Sequence, residues 1–305
     1  KDIAAAMNEH MAPVFDEDAI TRVFAPPTKS EIVRVKKKVD EHVEAFGWYD
    51  GKSRSAITGW RDLAKGQGTY GSTLYAPDNQ NKWVISLFDK SGTWSQPWVD
   101  AGYQVLRFDI QDEQLIEVRD DADNVRIANI GDVFEHGIQV YADEYGGFNG
   151  DDVYAVLAAC PCTDFASSGA RHFAAKDADG RTLLSQELVA QTMRIIEYLK
   201  PQVWALENPV GRIGKLTGLP QWRTSFDPYH FGEPYTKKTL LWGRHNGDMP
   251  IEPVDPVEGS KMHTKYGGSS LKTKNARSVT PEGFAYAFFM ANNAHDNPKI
   301  DVGWK

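Results

Sequence analysis

The hydrophobic pattern of the chain changes near residue 80. Before that point, apolar residues recur at every third or fourth position among charged residues. They are Ile32, Val35, Val39, Val43 and Phe46. This spacing is typical of an amphipathic helix, and Gly- and Ser-containing loops follow it. We therefore predict that residues 1–80 form a small helical N-terminal appendage.

From residue 83 onward, short apolar runs alternate with helical patterns. Runs suited to buried parallel strands occupy 83–88, 104–108, 153–157 and 203–206. Residues 186–199 carry apolar side chains on one helical face, and the following Lys200-Pro201 stops that helix. This alternation predicts an α/β fold with a Rossmann-like, doubly wound, mostly parallel sheet. Ligands of such sheets bind at the carboxyl ends of the strands.

Composition narrows the class of protein only slightly. The chain has 305 residues, of which 41% are hydrophobic and 25% charged, as in ordinary globular proteins. No apolar run is long enough for a bilayer span and no signal-peptide pattern opens the chain, so we expect a cytoplasmic protein without a membrane partner. The net charge of −8 disfavours a nucleic-acid partner, although 212–244 and 261–277 are basic or near neutral.

Polar residues follow the first predicted strands at the expected edge. A turn of small residues, 89–95, comes after the first run and contains Gly92. Asp109 ends the second run, where a carboxylate can accept hydrogen bonds from a ribose diol. Asp132 follows another short apolar segment. Each signal is weak alone, since a tight turn or a solvated acid would look the same.

The next two strands end in residues with more distinctive chemistry. Cys160-Pro161-Cys162 follows the 153–157 run, so a thiol sits on a turn stiffened by proline. Glu207-Asn208 follows the 203–206 run. A thiol and a carboxylic acid facing one pocket are what addition to a pyrimidine ring requires. Two cysteines one residue apart, without a second pair, do not make a metal site.

Taken in order, these motifs resemble the DNA (cytosine-5)-methyltransferase family, especially its short phage or prophage members. The elements are Leu87-Phe88 with Gly92, Asp109, Gly131-Asp132, Pro161-Cys162 with Phe165, and Glu207-Asn208-Pro209. The segment 231–239 resembles the family's later Pro-Gln-x-Arg-x-Arg motif, although Tyr235, Lys237 and Thr239 replace its glutamine and arginines. Residues 277–282 resemble its Arg-x-x-Thr-x-x-Glu element.

The resemblance implies a class I S-adenosylmethionine-dependent methyltransferase with a recognisable division of the chain. Residues 81–243 would form the catalytic and cofactor-binding core, and 277–305 a C-terminal helix that returns to it. Between them, 244–276 would be a reduced target-recognition loop region, shorter than the domain usual in the family. The partner would be DNA with its cytosine flipped out, and the protein a monomer without a metal, in the cytoplasm of a bacterial or phage-infected cell.

The resemblance also assigns roles to the catalytic residues. The Cys162 thiolate would add to C6 of cytosine while Glu207 protonates or hydrogen-bonds N3. Asn208 would fix the loop that carries Glu207. Lys237 would hold a phosphate or the base carbonyl.

On the donor side, the resemblance implies S-adenosylmethionine. Asp109 would bind the ribose, Asp132 the adenine amine and Phe88 the adenosyl group, with Gly92 leaving room for the methionine end. The remaining candidates for this pocket are Lys90, Thr93, Ile110, Val133 and Pro161. Lys90 replaces the first glycine of the family's loop. It either turns outward, to solvent or an acid such as Asp89, or pairs with a carboxylate of the donor.

Candidate nucleic-acid contacts lie in two places. They are Ser167, Ser168 and Arg171 after the nucleophile motif, and Arg244, Lys261 and Lys265 in or beside the 244–276 region. A short basic loop of that kind would hold phosphates without reading many bases.

Three alternatives stay open at this point. The same fold could act on a free cytosine nucleotide or a single strand, with an ordinary or a non-standard donor. The chain could be a catalytically silent binding or scaffold protein of a phage assembly, although that would not explain why both Cys162 and Glu207 are present. A Rossmann-type oxidoreductase is disfavoured because the chain lacks Gly-x-Gly-x-x-Gly.

Overall fold

A computed structural model describes most of the chain from residue 77 onward. The described residues are 77–112, 116–119, 125–130, 138, 152–266, 268 and 270–294. The predicted N-terminal appendage up to residue 76, Asp132 and Val133 lie outside the described residues.

The described strands form one eight-stranded, mostly parallel sheet. The strands are β1 Trp83–Leu87, β2 Gln104–Phe108, β3 Ile116–Arg119, β4 Val125–Ile130, β5 Val153–Ala158, β6 Val203–Pro209, β7 Thr224–Phe226 and β8 Thr239–Arg244. Their order is β3-β4-β2-β1-β5-β6-β8-β7, with the five central strands parallel. Strands β3, β8 and β7 run antiparallel to their neighbours. The four predicted apolar runs are confirmed as β1, β2, β5 and β6.

The helices among the described residues pack on both faces of the sheet. They are α1 Gln96–Asp100, α2 Phe173–Ala178, α3 Arg181–Leu199, α4 Ile213–Thr217, α5 Lys261–Thr264, α6 Leu271–Ser278 and α7 Glu282–Asn292. Helix α3 covers one face with Val189, Ile195 and Ile196. Helix α7 covers the other and is buried almost all round, as expected for a central helix. The predicted Rossmann-like, doubly wound fold is therefore confirmed. None of the described helices combines the length and the apolar character that a bilayer span needs.

The strand order reverses between β1 and β5. Chain connections leave β1 toward β2 on one side and reach β5 on the other, so a crevice forms outside their carboxyl ends. The turn after β1 lies on one side of this crevice and the Cys160–Cys162 turn on the other. The fold thus places the predicted donor and nucleophile residues at one edge.

The turn that contains Cys162 is held tightly against the segment after β6. Backbone amides of Phe165 and Ala166 donate to the Cys162 carbonyl at 3.0 and 2.9 Å, and the Arg212 amide donates to the Phe165 carbonyl at 2.9 Å. Gly211 lies so close that an added Cβ would stand 1.9 Å from the Phe165 carbonyl oxygen. A side chain at 211 would therefore push the two segments apart.

We predict that Gly211→Ala destabilises the protein by about 1–3 kcal/mol, the usual range for an overpacked site. The Cys162 turn should move with it. The matched control is Gly169→Ala on the nearby 3-10 turn Ser167–His172, because its Cβ would meet only the Thr163 carbonyl at an ordinary 3.6 Å. Equal unfolding midpoints for the two variants in urea would show that the close approach is not a constraint.

Candidate active site

The pairing of β5 with β6 brings the predicted nucleophile and acid together. Ala158 pairs with Leu206, so the turn after β5 and the last residues of β6 lie side by side. The Asn208 amide Nδ2 donates to the Cys160 carbonyl at 2.9 Å and is fully buried. The role predicted for Asn208 was to fix the Glu207 loop. Here its hydrogen bond joins the Glu207 strand to the cysteine turn.

Glu207 is a buried carboxyl group paired with one cation. It is 7% exposed, and the Lys237 ammonium lies 3.8 Å from its Oε1. Burial raises the pKa of Glu207, and the charge of Lys237 limits that rise. A carboxyl group whose acid form is favoured by burial suits the donation of a proton.

Lys237 is held in place from three sides. Its backbone amide donates to Asp227 Oδ1 at 2.9 Å, and its Nζ donates to the Arg277 carbonyl at 2.9 Å. With Glu207 as the third partner, the ammonium is engaged inside the site. This geometry places Lys237 beside Glu207, where its positive charge lowers the pKa of that carboxyl group.

The two cysteines differ in environment. Cys160 is 3% exposed, its Sγ lies 3.7 Å from Thr192 Oγ1, and burial raises its pKa to about 12. Cys162 is partly exposed, between exposed Pro161 and Thr163. Burial also raises the pKa of Cys162, whereas the positive charges of Lys237 and Arg277 lower it and Glu207 raises it. Cys162 is therefore the cysteine that both faces the opening and lies among the charges of the site.

The turn after β1 is closed by a carboxylate. Asp89 Oδ2 accepts hydrogen bonds from the Ser86 hydroxyl at 2.8 Å and from the Ser95 hydroxyl and amide at 2.7 and 3.2 Å. Phe88 adopts a φ of +61°, which is unusual for an aromatic residue and makes the chain turn sharply at the strand end. Thr93 is buried in the same turn.

Arg107 fills the space beneath this turn. Its Nε donates to the Ser95 hydroxyl at 2.7 Å, and an Nη donates to the Gly92 carbonyl at 3.2 Å. A Cβ on Gly92 would stand 2.6 Å from the guanidinium, and the residue has a φ of +66°. Glycine is thus required at 92 by this chain's own packing, besides any need of a ligand.

Asp109 occupies the end of β2 as predicted for a ribose ligand. It is 9% exposed, and its Oδ1 accepts the Gln111 amide at 2.9 Å. Burial raises the pKa of Asp109 to about 6, and the hydrogen bond from Gln111 opposes this rise. The next residue, Ile110, is 63% exposed.

Lys90 reaches across to the turn that follows β2. Its ammonium donates to the Gln111 carbonyl at 3.0 Å and forms an ion pair with Asp112. Of the two orientations expected for Lys90, the structure has the one that pairs with an acid. The partner is Asp112 rather than Asp89. The sharper expectation, a pair with a donor carboxylate, would require Lys90 to leave Asp112.

The predicted nucleic-acid residues separate into two groups. Ser167, Ser168 and Arg171 are exposed on a 3-10 turn, Ser167–His172, just beyond the Cys162 turn. Arg244 pairs with Trp204 near the start of β6, and its guanidinium donates to the Pro201 and Gln202 carbonyls. The structure thus places Arg244 at the opposite edge of the sheet from Cys162.

Lys261 and Lys265, the other two candidates for nucleic-acid contact, also have neighbours within the protein. Lys261 forms a 2.7 Å ion pair with Glu258, and its ammonium lies 4.9 Å from the centre of the Tyr235 ring. Lys265 is exposed, and its ammonium lies 5.8 Å from the Tyr266 ring centre.

Several residues of the site were given no role in it from the sequence. Arg277 acts on Cys162 by its charge and on Lys237 through its carbonyl. Tyr235 is buried, and burial together with the Glu233, Glu207 and Glu258 carboxylates holds its pKa well above the ordinary value. Asp89 and Arg107 shape the first turn. The contacts of Arg107 and Arg277 join segments that are far apart in the chain, so a local pattern could not assign them. Asp89 bonds to nearby Ser86 and Ser95, but a polar turn does not reveal which of its side chains will pair. Within the described ranges, no group of three or more His, Cys, Asp or Glu side chains could hold a metal ion.

Comparisons with known proteins add little. No family model matches the chain, and no curated protein matches it. Among solved structures, one match is to a proposed DNA modification methyltransferase encoded within a prophage of E. coli. It has a TM-score of 0.37 and 14% identity, and the match covers 57% of this chain and 53% of that one. We draw no functional conclusion from a likeness at this level.

The charges around Cys162 predict opposite effects of two substitutions on its reactivity. Glu207→Gln removes a group that raises the pKa of Cys162, so alkylation by iodoacetamide should accelerate. For each unit that the pKa falls, the thiolate fraction rises about tenfold, but the weaker nucleophile limits the gain in rate to roughly three- to fourfold. Lys237→Met removes a group that lowers this pKa, so alkylation should slow. Lys215→Met, an exposed lysine on α4, is the matched control. Rates that are unchanged in both site variants would mean that these charges do not act on the thiol.

The pKa of Asp109 predicts how donor affinity depends on pH. The carboxylate that would bind a ribose diol is protonated as pH falls through about 6. Affinity for S-adenosylmethionine should therefore be constant above pH 7 and fall roughly tenfold between pH 7 and pH 5. Asp109→Asn should bind about 10–100-fold more weakly at pH 7 and lose this pH dependence, whereas exposed Asp179→Asn should behave as wild type. Calorimetric titrations that show parallel curves for Asp109→Asn and wild type would exclude Asp109 from the donor site.

Proposed function

We propose that this protein modifies carbon 5 of cytosine in DNA, using Cys162 as a covalent nucleophile and a donor of the S-adenosylmethionine type. The observation that carries the proposal is the arrangement at the ends of β5 and β6. A partly exposed thiol lies among the charges of Lys237 and Arg277, beside a buried carboxyl group whose pKa is raised. The resemblance of the motifs to the cytosine-5 methyltransferases supports the same chemistry.

In the proposed reaction, Cys162 supplies and recovers the electron pair, and Glu207 supplies and recovers the proton on N3. The Cys162 thiolate forms a carbon–sulfur bond to C6, and the electrons of the C5–C6 double bond move into the ring as N3 takes the proton of Glu207. The ring is then nucleophilic at C5. After C5 gains its new group and loses its proton to water, the carbon–sulfur bond breaks, Cys162 leaves as thiolate and N3 returns its proton to Glu207.

The positive charge of Lys237 favours the anionic forms of both Glu207 and Cys162. Its ammonium stabilises the Glu207 carboxylate left after N3 is protonated, and it also favours the thiolate of Cys162. Both groups are only about a tenth exposed in the ion pair, with side-chain values of 11% and 10%, so water screens this interaction weakly. Lys237 therefore serves the acid and the nucleophile together.

The donor half of the crevice fits a nucleoside-bearing ligand. Asp109 presents a carboxylate at the end of β2, and the chain turns sharply at Phe88, just after the adjoining β1. When bound, S-adenosylmethionine would supply an electrophilic methyl group for attack by C5. Asp109 would hold the ribose, and Phe88 would pack against the adenosyl group.

The proposal is tested by nucleoside mass analysis of DNA from cells that express the protein. Wild type should produce a deoxycytidine carrying an added group at C5, whose mass identifies what the donor supplies. Glu207→Gln should reduce this product by about 10²–10⁴-fold, and Cys162→Ser should abolish it. Cys160→Ser is the matched control, since Cys160 is buried away from the opening. A modified base that persists in Cys162→Ser would overturn the proposal.

A further inference from the structure

A buried ion pair follows directly on the turn that contains Cys162, and the proposed chemistry does not use it. Asp164 and Lys176 are 8% and 7% exposed, and the Lys176 ammonium lies 3.0 Å from Asp164 Oδ1. Asp164 is two residues beyond Cys162, whereas Lys176 belongs to α2. Burial removes both charges from water, and well-packed apolar residues would often stabilise such a place as well or better. Stability is therefore a weak reason for this pair, and its contacts indicate another role.

The ion pair holds both residues that come after Cys162. The Lys176 ammonium donates a hydrogen bond to the Thr163 carbonyl and also pairs with Asp164. The Ser185 hydroxyl on α3 donates to Asp164 Oδ2 at 2.6 Å. Lys176 and Ser185 are both buried, so water competes weakly for these contacts. Two helices thus fix the chain immediately beyond the nucleophile.

Arg212 connects the same part of the chain to the segment after β6. Its Nε donates to the Asp164 carbonyl at 3.0 Å, and its backbone amide donates to the Phe165 carbonyl at 2.9 Å. Its guanidinium also donates to the Asp177 carboxylate on α2 at 2.7 and 2.8 Å, and it lies 3.7 Å from the centre of the Phe173 ring. The chain after Cys162 is therefore held by α2, by α3 and by the segment after β6.

The turn is anchored before Cys162 as well. The Asn208 amide donates to the Cys160 carbonyl at 2.9 Å. Within the turn, the Phe165 and Ala166 amides donate to the Cys162 carbonyl at 3.0 and 2.9 Å. Cys162 thus lies between two anchored points, and a shift of either one would move its sulfur.

Resting on the proposed function, we infer that Asp164 and Lys176 are positioning residues, which hold the Cys162 sulfur in line with C6 of the base. The pair takes no part in the transfer of protons or electrons. Displacement of a reacting group by about 1 Å costs on the order of 10²-fold in rate. Loss of the pair should therefore lower the rate of addition to the base and leave the thiol itself intact.

The thiol should stay equally reactive because the pair has no net charge. The pKa of Cys162 is raised by burial, lowered by the charges of Lys237 and Arg277, and raised by the charge of Glu207. Removal of a cation and an anion together leaves all these groups in place. A small alkylating reagent that needs no alignment with a base should then react as it does in wild type.

The test replaces the buried pair and its hydrogen-bond partner by apolar residues in the triple variant Asp164→Leu, Lys176→Met, Ser185→Ala. Since none of the three polar side chains is left unpaired, the unfolding midpoint in urea should equal or exceed that of wild type. The value of kcat for modification of cytosine in DNA should nevertheless fall about 10²-fold, with unchanged affinity for S-adenosylmethionine. Covalent trapping by a 5-fluorocytosine oligonucleotide should slow by the same factor, whereas alkylation of Cys162 by iodoacetamide should keep its wild-type rate and pH profile.

Two further variants serve as control and as a milder form of the test. Glu187→Leu with Arg194→Met removes an ion pair of the same 3.0 Å length from the more exposed side of α3, and it should keep wild-type turnover. Ser185→Ala alone removes one hydrogen bond to Asp164 and decides the matter if the triple variant does not fold. It should lower kcat up to roughly tenfold and leave alkylation of Cys162 unchanged.

The outcomes separate the position of the sulfur from its reactivity and from stability. Wild-type kcat in a folded triple variant, or in Ser185→Ala, would overturn the inference. A loss of kcat matched by an equal loss of alkylation would also overturn it, because the thiol itself would then be altered. Lack of any modified deoxycytidine with wild type would reject the proposed function and this inference with it, whereas the comparison of variants rejects the inference alone.

Discussion

The hydrogen bond from the Asn208 amide to the Cys160 carbonyl is the constraint on which the site depends. It is fully buried and joins the end of β6 to the turn after β5. Because Glu207 precedes Asn208 and Cys162 lies two residues beyond Cys160, this bond and the pairing of β5 with β6 together hold the Glu207 carboxyl group near the Cys162 thiol. The contact of Gly211 with the Phe165 carbonyl closes the same turn from its other end. Loss of a buried hydrogen bond of this kind leaves an unsatisfied group and costs about 1–3 kcal/mol.

Charge in the crevice is organised around Lys237. The lysine touches Glu207 and the carbonyl of Arg277, so it connects β6, the segment before β8 and the end of α6. Burial raises the pKa of both Cys162 and Glu207, which favours the neutral forms of each in the unliganded site. In the proposed mechanism Lys237 and Arg277 stabilise the anions that form during base addition. A segment after β8 thus reaches the site directly, because the Arg277 carbonyl accepts a hydrogen bond from the Lys237 ammonium.

Much of the fold and part of the site could be predicted from the sequence for physical reasons. Strands β1, β2, β5 and β6 are buried on both faces, so they read as continuous apolar runs, and their carboxyl ends had to meet at one edge. The position of Asp109, Cys162 and Glu207 at that edge follows from the fold. Strand β8 was missed because its Gly243 and polar ends interrupt the apolar run.

Partners of the charged residues could not be predicted in the same way. The ammonium of Lys90 pairs with Asp112, 22 positions away, and Lys237 reaches Arg277, 40 positions away. Arg244 was assigned to DNA from its charge alone, whereas the antiparallel pairing of β8 with β6 carries it to the far edge. Local patterns report burial and strand ends, but they contain no information on which distant side chain a cation will meet.

The central claim, that Cys162 forms a covalent bond to the base, is tested most directly with 5-fluorocytosine. Fluorine at C5 cannot leave as the proton does, so an enzyme of this mechanism should remain attached to the oligonucleotide after group transfer. We predict that peptide mapping by mass spectrometry, with S-adenosylmethionine present, will find the nucleotide on the peptide containing Cys162 and bonded to that sulfur. Attachment to Cys160, or no attachment when the same preparation modifies cytosine, would contradict the account.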